Sequence, residues 1–241
     1  MRKEHFLRRK KMRIIFVRHG EPDYEKDDLT ETGIKQAELV AERLKDEGID
    51  EIWSSTQGRA LHTAKFTAES LGLPIKTADF IREITWGTVN GEKIFAGGHP
   101  WDIADEMAKR GMDLNDPEWR SNQFFANNLV LECIDTVEQG IDQWLSDLGY
   151  KRNGLYYDHL IEEEDHRTIA FFCHGGSSSV AIAHIMNLPF PYVCGMLHIE
   201  FTGITILRLD KTKGPCTLPC FELANDDTHV KEGYYHRLSD K

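Results

Sequence analysis

The chain of 241 residues has a net charge of −11, with 40% apolar and 29% charged residues, the profile of an ordinary folded protein large enough to bury a core. Its acidity leaves no broad basic footprint to neutralise backbone phosphates, so nucleic acid is not expected as a partner. No apolar run approaches the ~18 residues of a spanning helix, and no membrane association is expected.

Five cysteines (Cys133, Cys173, Cys194, Cys216 and Cys220) are an odd number in a chain that needs no staples, which fits a reducing cytoplasm. Cys216 and Cys220 lack the spacing and the second pair of a zinc site, so no metal is expected there. Residues 1–12 are basic without the apolar stretch of a signal peptide and read as a solvated extension, with Met12 an alternative start to Met1.

In chain order, residues 13–17 (RIIFV) predict a first strand. Thr30 caps a helix whose apolar face is Ile34, Ala37, Val40, Ala41 and Leu44, ended by Gly48. A second strand is expected at 50–54 and a helix at 58–71, stopped by Gly72 and Pro74. Residues 88–126, with Trp101, Trp119, Phe124 and Phe125 amid carboxylates, interrupt the rhythm as an insertion. Helical spacing resumes from about 127 to 148. The polar stretch 150–166, containing EEED, reads as a solvated loop or hairpin. RTIAFFC (167–173) is a fully buried strand leading into a helix that ends before Pro189. ITILRL (204–209) is another strand, and 217–223, which contains Pro219, is placed at a sheet edge. Together these predict one domain over 1–241: a three-layer α/β/α sandwich with a mostly parallel central sheet and the 88–126 insertion over the active-site edge.

Ligands of open α/β sheets sit beyond the carboxyl ends of the strands. Arg18 and His19 leave the first strand, Arg59 opens the helix after the second, and His174 leaves the strand ending at Cys173. Two arginines and two histidines on one rim repel unless an anion lies between them, and phosphate matches that demand in charge and fork geometry. The glycines after His174, Gly175 first, allow the backbone to approach such an anion closely.

RHGE (18–21), SSTQGRALHTA (54–64), REITWGTVNG (82–91) and CHGG (173–176) resemble, in order and spacing, the four signatures of the histidine phosphatase superfamily, phosphoglycerate mutase-like branch. The resemblance implies that His19 is the nucleophile and forms a phosphohistidine. It implies that Arg18, Arg59 and His174 hold the phosphoryl oxygens, and that Glu83 protonates the leaving oxygen and then activates water. Glu21 is the alternative acid. No cofactor and no metal are implied, since guanidinium groups can supply the electrostatic stabilisation phosphoryl transfer needs.

CHGGSSS is not a cysteine phosphatase loop, because Ser179 stands where the arginine is required, and the lysine of a nucleotide P-loop is missing. His62 and His184 read as ordinary helix residues. His99 and its neighbouring tryptophans fit a substrate pocket or a satellite hydrophobic cluster, and both readings stay open.

Mutases of this family carry a tryptophan–asparagine pair after RHGE, whereas this chain has the acidic PDYEKDDLT. Acidic residues at 22–28 disfavour a substrate with several negative charges. Hydrolysis of a small-molecule phosphate monoester is therefore expected, with a leaving group that is bulky and not strongly anionic. Mutase-type transfer and a non-catalytic phospho-ligand-binding module remain the alternatives, and a homo-oligomer remains open.

Overall fold

The computed structural model describes residues 11–160, 165–211 and 216–230. Its strands are β1 (Met12–Arg18), β2 (Pro22–Asp23), β3 (Asp28–Leu29), β4 (Glu51–Ser55), β5 (Ile75–Ala78), β6 (Tyr150–Asn153), β7 (Tyr156–His159), β8 (Thr168–Cys173), β9 (Ile204–Lys211) and β10 (Cys216–Asp226). The α-helices are α1 (Glu31–Leu44), α2 (Gly58–Leu71), α3 (Pro100–Lys109), α4 (Val130–Asp147), α5 (Gly175–Met186) and α6 (Phe190–Met196). Residues 1–10 of the expected extension lie outside the described residues. Met12 does not belong to an extension: it is the first residue of β1 and is fully buried.

The uninterrupted apolar runs of β1 and β8 arise because both faces of these strands are covered. Ile14 and Phe16 join one core with Ile169 and Phe171, while Ile15 and Val17 join a second with Ala170 and Phe172. The second core is closed by Val40 and Leu44 of α1 and Ala64 and Ala68 of α2. On the other face lie Ile134, Ile141 and Leu145 of α4 and Val180 and Ile182 of α5. Each Val, Leu, Ile or Phe among them contributes roughly 1.5–3 kcal/mol by burial, and the period of two in the strands sends their side chains alternately to the two layers.

The main sheet has the order β5-β4-β8-β1-β9-β10-β7-β6. It is mixed and not mostly parallel: β5, β4, β8 and β1 run parallel, while β9, β10, β7 and β6 are joined antiparallel. The antiparallel half comes from the 150–166 segment, which forms the β6–β7 hairpin, and from the pair β9–β10. Glu162–Glu164 of that acidic run lie outside the described residues. The strand carrying Pro219 is not at an edge, since β10 lies between β9 and β7. Proline is tolerated because β7 pairs only with Cys216 and Thr217, which leaves that flank of Pro219 without a strand partner.

Helix boundaries follow local chemistry. The Thr30 hydroxyl accepts the Gly33 N–H at 3.0 Å and caps α1, and Gly72, with φ of 67°, ends α2. Within 88–126, His99 caps α3 and Pro100 follows at its first turn. The buried side of α3 (Ile103, Ala104, Met107) joins the core shared by α4, α5 and α6. Trp119 packs on Phe125 and Phe190, with ring centroids 5.0 and 6.0 Å apart. Those insertion aromatics are therefore core residues, whereas Trp86, His99 and Trp101 form a less buried cluster that joins the same core through Trp101.

Away from the parallel rim, Arg13 is buried in a charged clamp. It donates to Glu222 at 2.8 and 3.1 Å and to the Glu47 carboxylate at 2.6 Å, and Arg43 links Glu47 to Asp226. Burial alone would raise the Glu47 carboxyl, but the Arg43 and Arg13 hydrogen bonds outweigh it and hold it below its ordinary value. Arg13→Ala leaves Glu222 without its cation and Glu47 with Arg43 alone, and is expected to cost about 3 kcal/mol of stability, measurable by urea unfolding at neutral pH. An unchanged midpoint would show that the clamp does not tie α1 to β10.

Candidate active site

Because β1, β4 and β8 are parallel neighbours or next neighbours, their carboxyl ends share a rim. His19 follows β1, with its N–H donating to the Cys173 carbonyl at 2.9 Å, which aligns it with His174 across the strand pair. The two imidazoles stand edge to face, with ring centroids 5.1 Å apart. Gly20 is obligatory here, since a Cβ would meet the Gly33 carbonyl oxygen of α1 at 2.5 Å. Its N–H donates to the Thr63 hydroxyl of α2 at 3.1 Å.

His19 Nδ1 lies 2.7 Å from the Gly20 carbonyl, an acceptor that requires the ring proton at Nδ1. The lone pair is thus on Nε2, where Arg59 Nε donates at 3.3 Å. Burial first, then the proximity of His174 and Arg18, hold the His19 imidazole well below its ordinary value. His174 is pushed down to about 2 by burial and by Arg59, Arg18 and Arg82. Both rings are neutral at physiological pH.

Ser55, at the end of β4, lies 2.8 Å from His174 Nε2 and also accepts the Gln57 N–H. The Ser55 oxygen keeps a second lone pair, so its hydroxyl can donate to Nε2 or accept from it, and His174 Nδ1 is buried without a hydrogen-bond partner among the described residues. Arg18 is held by the Ile199 carbonyl at 2.6 Å and by the Phe201 ring, 4.0 Å from the guanidinium carbon. Its Nε is likewise buried without a partner, beside Gly175, where a Cβ would lie 3.5 Å from it.

Glu83 reaches the same rim from the loop after β5. Its Oε1 accepts the N–H groups of Ile84, Gly176 and Ser177 at 3.0, 3.0 and 3.1 Å, the last two from the first turn of α5, and none of these bonds uses Oε2. Burial raises the Glu83 carboxyl above its ordinary value despite the pull of Arg18, those N–H donors and Arg59. Glu21, the alternative acid, is engaged elsewhere by the Thr30 hydroxyl at 2.7 Å, at the cap of α1.

All the residues expected from the sequence, Arg18, His19, Arg59, Glu83, His174 and Gly175, thus meet at one place. Donor atoms of His19, Glu83 and His174 lie within 4.8 Å of one another, a set that resembles a metal site. Two adjacent guanidinium groups repel a dication, however, and suit an anion. Gln57, whose Oε1 accepts the Glu83 N–H at 2.6 Å, had no distinguishing signal beyond its place in SSTQGRALHTA, and Phe201 had none. The acidic stretch 22–28 is less repulsive than its composition suggests: Asp23 pairs with Lys26, Asp27 with Arg59 and Asp28 with His62.

The fold and the site define an α/β protein with an anion-suited rim at the carboxyl ends of its parallel strands, and a family comparison gives its class. The model of the histidine phosphatase superfamily (branch 1) matches residues 14–219, and the chain belongs to that superfamily. It is 37% identical to a probable phosphoglycerate mutase GpmB of Yersinia pestis (strain Pestoides F) over 92 residues, which cover 34% of this chain and only 43% of that relative. Among solved structures, it is similar to a mycobacterial glucosyl-3-phosphoglycerate phosphatase, with TM-score 0.60, 21% identity, and 88% and 98% of the two chains covered. It is also similar to a phosphoserine phosphatase from Entamoeba histolytica in complex with 3-phosphoglyceric acid, with TM-score 0.59, 23% identity, and 90% and 98% covered. At these identities the likeness is one of fold. Among the described residues no helix is long and apolar enough to cross a membrane.

Two outcomes follow from this geometry. A Cβ on Gly176 would sit 2.6 Å from Glu83 Oε1 and 2.4 Å from Ile84, so Gly176→Ala is expected to displace Glu83 and lower phosphatase turnover by at least about tenfold. Unchanged turnover would show that Glu83 is not held through this contact. The imidazoles of His19 and His174 are depressed in the folded state, so their contribution is complete above the unfolded value near 6.5 and is lost as pH falls below it. Urea unfolding between pH 6.5 and 5 should show stability falling by up to about 1.4 kcal/mol per pH unit for each ring, a slope that His174→Asn reduces.

Proposed function

We propose that the chain is a phosphatase that hydrolyses a small-molecule phosphate monoester through a phosphohistidine, without a metal. The observation that carries this reading is the pair of buried nitrogens without a partner among the described residues, Arg18 Nε and His174 Nδ1, on the rim that holds the lone pair of His19 Nε2. We take the His174 proton to be on Nδ1, with Ser55 donating to Nε2; buried donors normally have acceptors, and a phosphoryl group supplies oxygens for both while presenting phosphorus to the imidazole.

In the first step His19 Nε2 attacks phosphorus and the bond to the ester oxygen breaks, with a proton from Glu83 Oε2 passing to the leaving oxygen. In the second, water attacks the phosphohistidine, Glu83 takes the proton, and the phosphorus–nitrogen bond breaks to release phosphate. The raised Glu83 carboxyl suits both directions. Arg18, Arg59, His174 and the backbone beside Gly175 stabilise the charge on the three oxygens. We read 1–241 as a single domain, supported by the core that joins the 88–126 insertion to the sheet. In this reading Trp86, His99 and Trp101 form a wall for the leaving group.

Mutase-type transfer is the second reading, favoured by the name of the partial Yersinia relative. Against it, the cations acting on His174 among the described residues are Arg59, Arg18 and Arg82, a thin provision for a second acidic group.

A generic monoester assay in excess chelator is expected to show turnover that His19→Ala abolishes and Glu83→Gln lowers by about 10²–10⁴-fold. Acid-labile radioactivity from a phosphate-labelled substrate should appear on His19. Turnover by His19→Ala would overturn the mechanism, absence of turnover by wild type with retained phosphate binding would favour a binding module, and isomerisation of 3-phosphoglycerate without phosphate release would favour the mutase.

A further inference from the structure

Asp27 lies between the short strands β2 and β3 with φ of 50°, a left-handed conformation that Asp and Asn adopt more readily than other side-chain-bearing residues. Gln57 provides no side-chain cap for α2, and Asp27 supplies one from 31 positions upstream: its Oδ2 accepts the Gly58 N–H at 2.7 Å. The approach is tight, because a Cβ on Gly58 would meet the Asp27 carbonyl oxygen at 2.1 Å. Its other carboxylate oxygen, Oδ1, takes Arg59 Nη1 at 2.5 Å. Arg59 in turn donates its Nε to His19 Nε2 at 3.3 Å. A planar guanidinium fastened at two points has its plane set, so Asp27 at one end and the nucleophile at the other define where the third nitrogen of Arg59 can reach.

We propose that Asp27 is a positioning residue that acts through Arg59, holding its guanidinium in the plane that grips the phosphoryl group on its way to His19. This rests on the phosphatase reading above. Two effects of the carboxylate oppose each other. Its charge, on a side chain that is 45% exposed, repels an arriving anion, but solvent screens that effect to about fivefold or less. Misplacing a gripping group by about 1 Å can cost on the order of a hundredfold. The positioning effect wins, and this gives the proposal a sign: removing the negative charge weakens the binding of an anion.

Asp27→Asn keeps the left-handed backbone and an acceptor for Gly58 but loses the anionic partner of Arg59. Wild type, Asp27→Asn, Arg59→Ala and the double variant are compared for kcat and KM on a generic monoester and, by calorimetry, for affinity toward inorganic phosphate. Asp27→Asn is expected to lower kcat by about tenfold or more and to weaken phosphate binding about fivefold or more, with no further loss in the Arg59→Ala background. Tighter phosphate binding, or an equal loss in both backgrounds, overturns the proposal. Asp28→Asn, which removes the neighbouring acid paired with His62, controls for damage to the loop and should leave both quantities intact; a matching loss would reduce Asp27 to a loop-folding role and sink the proposal. If His19→Ala turns over as fast as wild type, the phosphatase reading fails while the phosphate-binding cycle still decides the link from Asp27 to Arg59.

Discussion

Two guanidinium groups share a buried rim with two imidazoles, and this crowding is sustainable only while the imidazoles stay uncharged. Arg59 Nε is 3.3 Å from His19 Nε2, close enough to share a hydrogen bond. Like charges about 4 Å apart repel by ~4 kcal/mol even at an effective dielectric of ~20. Protonating an ordinary histidine at pH 5 returns only about 2 kcal/mol. Repulsion wins, and both rings keep a lone pair or an N–H free for chemistry. In the proposed function, an arriving phosphate adds the negative charge that the four groups lack.

The His19 tautomer follows from a fixed partner. The Gly20 carbonyl places the His19 proton on Nδ1 and leaves the lone pair on Nε2, while Ser55 holds the other imidazole through His174 Nε2. The two rings are therefore fixed by different partners, although they are the same residue type. Glu83 shows a division within one side chain: backbone donors at the start of α5 hold Oε1, and Oε2 takes no part in those bonds. The result is a site whose charged and neutral parts are assigned by backbone geometry.

That backbone geometry depends on the parallel half of the sheet. His19 and His174 are registered by the pairing of Arg18 with Cys173, and α1 packs so near that only glycine fits at position 20. The antiparallel half carries no expected catalytic residue. It extends the sheet and closes the site from behind, where the loop before β9 brings Ile199 and Phe201 against Arg18.

Much was already determined by the sequence alone. The apolar runs at 13–17 and 167–173 required strands covered on both faces, and Arg18, His19, Arg59 and His174 stood where such strands deliver side chains. These are local signals, carried by residues a few positions apart. Most pairing partners are not local, and so the mixed sheet and the interior place of β10 were decided by contacts between distant segments, as was the docking of the β6–β7 hairpin, one of the two forms expected for 150–166, onto β10. Glu83 was already favoured over Glu21 through its motif, and the fold adds that Glu21, close to His19 in sequence, is bonded to Thr30. The acids at 22–28 read as a repulsive patch because composition counts charges without their partners. Only the folded chain brings Asp27 to Arg59 and Asp28 to His62, since an ion pair depends on distance through space and not along the chain.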